Sequence, residues 1–242
     1  MNFSPNDKIF GKVFLANAFL VALALLLLTA ASPAQEVIMN QPSADVVDKG
    51  KTFVRFDEFY TQSPAFYQEN LNLAYGLGHN LEVSLNNTNA FNRSPVSDSL
   101  VGGFKFAPVK TKHLTLFVGD QFVQPLTNKV PGFSHGNISY EAAAVTVGPW
   151  RFTGGAFQSR NGVQLGNRAG AIGGVEYMKM FKNGWGLGPG VDYASGAGTN
   201  GYVSPGLTLM KGSFFVCPGY MIANPQNPNG AHQSFVMIGK TF

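Results

Sequence analysis

Charge is what this chain has least of. Only 12% of its 242 residues are Asp, Glu, Lys or Arg, about half the share usual in a soluble globular protein. That scarcity excludes a coiled coil and a disordered tail, both of which carry dense charge. A single cysteine, Cys217, excludes an internal disulfide framework, and its place in the apolar run SFFVCPGYMI marks a small packed side chain. No run of four Lys or Arg occurs, so the net charge of +4 provides no nucleic-acid footprint. Beyond residue 35 no stretch is apolar for the ~18 residues a membrane helix needs, and mean hydropathy is only +0.03. No window there repeats apolar residues at helical spacing either. Helix is a minor element of this chain.

What is present is glycine, at 29 residues, and phenylalanine, at 21. Both suit an all-β chain. The N-terminus is set apart. Lys8 and Lys12 precede an apolar run that ends at Ala30, and small residues around Ser32-Pro33-Ala34 follow. This reads as a cleaved export signal over residues 1–34, with a linker on the periplasmic side over 35–50 and one β domain over 51–242.

Within 51–242 the chain divides into segments of about ten residues with period-two alternation. In ENLNLAYGL, Leu71, Leu73, Tyr75 and Leu77 share one face, and Asn70, Asn72, Ala74 and Gly76 share the other. Strands are expected at 51–60, 66–77, 81–86, 98–107, 112–123, 137–147, 149–158, 169–180, 185–194, 201–209, 212–222 and 232–242. Their connections alternate. Short turns at 79–80, 108–111, 148–149, 182–184 and 211–212 interleave with loops that are mostly longer and rich in Asn, Gly, Pro and Ser. Such a meander is an antiparallel up-and-down arrangement. Most segments also exceed the five or six residues of an average strand and match the nine to eleven that cross hydrocarbon. A β membrane span is stable only when the sheet closes on itself, because lipid satisfies no backbone hydrogen bonds.

The export signal, the amphipathic strands, the alternating loops and a last strand HQSFVMIGKTF ending on Phe242 resemble the outer-membrane β-barrel proteins of Gram-negative bacteria. The resemblance covers residues 50–242 and implies a transmembrane barrel of about twelve strands, with short turns and both termini in the periplasm. It further implies contact with outer-membrane lipid and lipopolysaccharide, and periplasmic chaperones and an assembly machinery that reads Phe242 and the apolar residues alternating before it. Lys240 breaks that alternation. Trp150 and Trp185 follow short turns and are expected at the interface. The expected state is a monomer.

With the apolar face outward, alternation sends Arg55, Asp57, Glu82, Lys105, Glu141, Arg151, Glu176 and Asp192 into the lumen. That set has both signs, so the expected activity is a passive pore with weak charge selectivity, since a strong filter needs rings of one sign. Two other readings stay open: a closed structural or surface-recognition barrel, and a lipid hydrolase. Some barrels of this class hydrolyse lipids with a His-x-Ser pair, a spacing that His232 and Ser234 share. Phe235 stands where that pattern has Asn, and no third member follows. His79, His113 and His135 lack metal-ligand spacing, so neither metal nor cofactor is expected.

Overall fold

The computed structural model describes residues 38–39, 41–62, 65–90, 98–127, 134–161, 169–195, 201–224 and 231–242, and no α-helix occurs among them. The expected export signal lies outside these residues. Thirteen strands follow in order: β1 (Thr52–Gln62), β2 (Ala65–Gly78), β3 (Leu81–Thr88), β4 (Ser99–Lys110), β5 (Leu114–Pro125), β6 (Gly136–Val147), β7 (Trp150–Asn161), β8 (Ala169–Tyr177), β9 (Lys179–Met180), β10 (Trp185–Ala194), β11 (Tyr202–Lys211), β12 (Phe214–Ala223) and β13 (Gln233–Thr241). Each pairs antiparallel with its neighbour, and β13 pairs with β1 from Phe53↔Thr241 to Thr61↔Gln233. The sheet is therefore closed. Strands β8 and β9 are two parts of one stave broken at Met178, whose N–H donates to the Pro149 carbonyl at 2.9 Å. Counted by staves, this is a twelve-stranded barrel.

Alternation reappears as two walls. Along β2, Leu71, Leu73, Tyr75 and Leu77 are 37% to 46% exposed, while Asn72 and Ala74 between them fall to 5% and 2%. The same outward set continues through Val83, Leu85, Phe104, Leu116, Val145, Phe152, Leu207 and Ile222. A wall of large exposed apolar side chains has no place in water, but it is what a closed sheet presents to hydrocarbon. The short turns and both ends of the β domain gather at one rim. His79 and Asn80 sit at φ 52° and 58° in the tight β2–β3 turn, the left-handed pair that matches the twist of a two-residue hairpin. At that rim Trp150, exposed outward, meets Tyr177 edge-on at 4.9 Å, and Lys211 lies 5.2 Å over the ring of Trp185, also exposed. Both indoles thus stand at the short-turn edge of the apolar wall.

Candidate functional site: the lumen and the segment inside it

The inward wall holds its charges in pairs that the strand registers create. Glu82 and Lys105 are direct partners across β3 and β4, and their side chains meet at 3.0 Å with 3% of each exposed. Arg151 and Glu176 are partners across β7 and β8, joined by two parallel bonds of 2.7 and 2.8 Å. Arg55 and Asp57, two apart on β1, form a similar fork at 2.6 and 3.0 Å, and Asn72 on β2 donates to Asp57 at 2.7 Å. A buried charge without a partner costs several kcal/mol, so each of these cations has a carboxylate beside it.

Residues 38–50 do not run free beneath the barrel as a linker. The described part enters the lumen, where Ile38, Met39, Gln41, Ser43, Ala44, Val46 and Val47 are buried. Three wall groups hold it. Asp192 accepts the Met39 and Gln41 N–H groups at 2.9 and 2.7 Å through one carboxylate oxygen. Glu82 accepts the Val47 N–H at 2.7 Å through the oxygen not facing Lys105. Arg151 reaches Asp45 at 2.8 Å with the nitrogen its fork to Glu176 leaves over. Burial alone would raise the Asp45 carboxyl, but the charge and hydrogen bond of Arg151 outweigh it and hold the group below the usual carboxylate range.

Apolar contacts complete the seat. Ile38, Met39 and Val47 join a core with Phe53, Ala74, Met210, Phe215, Cys217 and Phe235, and Ala44 and Val46 join Ala107, Phe117 and Ala144. The Met39 and Cys217 sulfurs lie 3.4 Å apart. Gly76 permits the closest approach: a Cβ there would lie 2.1 Å from the Asp48 carbonyl and 2.3 Å from that of Val47. Gly190 and Gly206 likewise leave space that Met39 fills. Inward glycine therefore serves the segment as well as the curvature of the wall.

No family model and no curated protein matches the chain. Solved structures do match. The KdgM porin aligns with a TM-score of 0.54 at 10% identity, covering 78% of this chain and 99% of that one. A KdgM porin in complex with disordered oligogalacturonate aligns at 0.56, with 9% identity and the same coverage. An outer membrane channel from Pseudomonas putida F1 aligns at 0.50, with 12% identity, 81% of this chain and 97% of that one. The fold is that of a porin-type barrel.

In this porin-type barrel the registers place Arg55, Asp57, Glu82, Lys105, Arg151, Glu176 and Asp192 on the inward wall. Glu141 is the exception. It pairs with Val118 and Ala156, is exposed, and faces outward. Its neighbours explain the error: in residues 137–144, NISYEAAA, the large alternating side chains Ile138 and Tyr140 point inward and only alanines follow, so pairing with β5 and β7 fixes which face is which. Tyr140 takes the inward place beside Gly119. The outer wall gains a polar cluster there, with Asn137 and Ser139 donating to Asp120 at 2.9 and 2.6 Å.

Among the described residues the His232 and Ser234 pair is not assembled as catalytic machinery. His232 Nδ1 accepts the Ala223 N–H at 3.2 Å, and its ring lies against that of Tyr220 at 6.2 Å. Phe242 closes the barrel seam by exchanging backbone bonds with Thr52 at 2.8 and 3.2 Å, and Lys240 lies 5.1 Å over its ring. Sequence reasoning missed the lumen segment. Its traces in the sequence are two short apolar runs, Val37-Ile38-Met39 and Val46-Val47, within an otherwise polar stretch.

Proposed function

We propose that this protein is an outer-membrane channel for small solutes, with weak charge selectivity, working as a monomer. The observation that carries the reading is a closed sheet with an apolar outer wall and a charged, polar inner one. Paired charges of both signs along an inner wall can line a water path when the lumen is open. The likeness to porins and to an outer membrane channel supports the same reading at the level of fold. In this orientation the short-turn rim faces the periplasm, lipid and lipopolysaccharide surround the wall, and the chaperones and assembly machinery read the last strand with Phe242.

Selectivity follows from the inventory. The described inward wall carries Arg55, Lys105 and Arg151 against Asp57, Glu82, Glu176 and Asp192, each cation already paired. A KdgM porin was solved with oligogalacturonate, a polyanion. This wall instead favours small cations slightly. The test is planar-bilayer conductance of residues 35–242 across a salt gradient. Stepwise currents with a small reversal potential of cation sign are expected, and replacing Arg151 by Gln shifts that potential further toward cations. Inserted barrels that conduct neither as the mature chain nor after deletion of residues 35–48 would refute the channel. That outcome would favour the closed structural reading, which the buried lumen segment makes specific.

A further inference from the structure

We infer that residues 38–48 are a displaceable plug, which closes the barrel from the short-turn rim and gates the channel proposed above, on whose reading this inference rests. The first reason is how the segment is held. Its described residues form no strand: Pro42 makes an isolated bridge, and a second, parallel one joins Lys49 to Gly76 at the segment's end. The ladder of the barrel closes without it, through β13 and β1. Withdrawal therefore breaks no pairing between the strands of the barrel. A wall strand has no such freedom.

The second reason is what holds it. The clasps are wall charges, and at least two of them keep an ion-pair partner when the segment leaves. Glu82 retains Lys105, and Arg151 retains the fork to Glu176. Asp192, released from the Met39 and Gln41 N–H groups, takes water in their place. The vacated seat thus keeps charged groups that hold water along one path, beside the apolar patch of Phe53, Met210, Phe215 and Phe235 that the segment had covered.

The third reason is tethering. Lys49 and Gly50 lie at the rim immediately before β1, with Gly50 at φ 75°, so the segment hangs from a short pivot on the strand that closes the barrel. Swinging out about this pivot moves only the chain before it. The occupant is then always at high local concentration, and a modest affinity keeps the barrel closed most of the time.

Cys217 offers the test. Because its sulfur lies 3.4 Å from that of Met39, Met39→Cys sets a second thiol, one bond nearer its own backbone than the Met39 sulfur, in the neighbourhood of Cys217 on β12, and loss of both free thiols is confirmed before the oxidised form is recorded. Three proteins are compared in planar bilayers: the mature chain, the same chain lacking residues 35–48, and M39C oxidised and then reduced. Expected are an open-state occupancy raised at least about tenfold by the deletion, silence of oxidised M39C, and return of mature-like currents on reduction. Reduced and oxidised M39C are the same folded molecule, so a folding defect in the deletion cannot imitate that difference. A deletion protein that conducts like the mature chain, or an oxidised M39C whose currents equal those of its reduced form, overturns the gate while leaving the channel standing. Silence of both the mature and the deleted chain overturns the gate and the channel together.

Discussion

Gly76→Ala adds a single methyl group at the tightest contact between the wall and the lumen segment. The new Cβ would stand 2.1 Å from the Asp48 carbonyl oxygen and 2.3 Å from the Val47 one, both backbone atoms that no rotamer change can move aside. The segment or β2 must shift by about 1 Å, and overpacking of this kind costs about 1–3 kcal/mol. The adjacent Val47 N–H bond to Glu82, 2.7 Å long, lies on the part that moves, and losing a bond to a charged acceptor adds about 1.5–3 kcal/mol. A loss between about 2.5 and 6 kcal/mol is therefore expected. It is read by urea unfolding in a lipid bilayer with Trp150 and Trp185 as reporters. Gly154→Ala is the control, because a Cβ there meets nothing within 4 Å, and its effect stays within about 0.5 kcal/mol of zero or stabilises slightly. If Gly76→Ala is as stable as Gly154→Ala, and the Val47 amide exchanges no faster, the seat of the segment is not where these distances place it.

Other expectations concern charge and location. Lys105→Met leaves Glu82 buried beside the segment and costs about 3–5 kcal/mol in the same assay, and adding Glu82→Gln restores at least half, since the charge goes while the Val47 N–H keeps an acceptor. Asp45→Asn removes a clasp whose carboxylate is 35% exposed, so solvent screening limits its worth to about 1 kcal/mol. Because Arg151 holds the Asp45 pKa below its ordinary 3.8, that contribution is complete above 3.8 and is lost only as pH falls through the lower folded value. The stability gap between wild type and Asp45→Asn therefore stays constant from pH 7 to 5 and closes in stronger acid; a gap already closed at pH 5 refutes the assignment. Finally, Trp150 and Trp185 fluoresce from the membrane interface, so lipids brominated near the headgroup quench them more than lipids brominated at the chain ends.

The sequence alone determined the staves and the sense of nearly every wall residue. All twelve expected strands are present, with ends moved by three residues or fewer, and the one at 169–180 is broken at Met178. Period-two alternation suffices for this where one face is unmistakably apolar, as along Leu71, Leu73, Tyr75 and Leu77, because slipping by one residue would bury the wrong face of the whole strand. Where the apolar signal fails, at Asn137 to Ala144, parity is settled by hydrogen-bonded registers with β5 and β7, and Glu141 turns outward. Only the tertiary structure decided what fills the lumen. Residues 38–48 carry no periodicity, and their place depends on Gly76, Glu82, Arg151, Asp192 and Gly206, which belong to five different strands. Closure of the barrel makes those residues neighbours, and no local rule along the chain expresses a contact that closure alone creates.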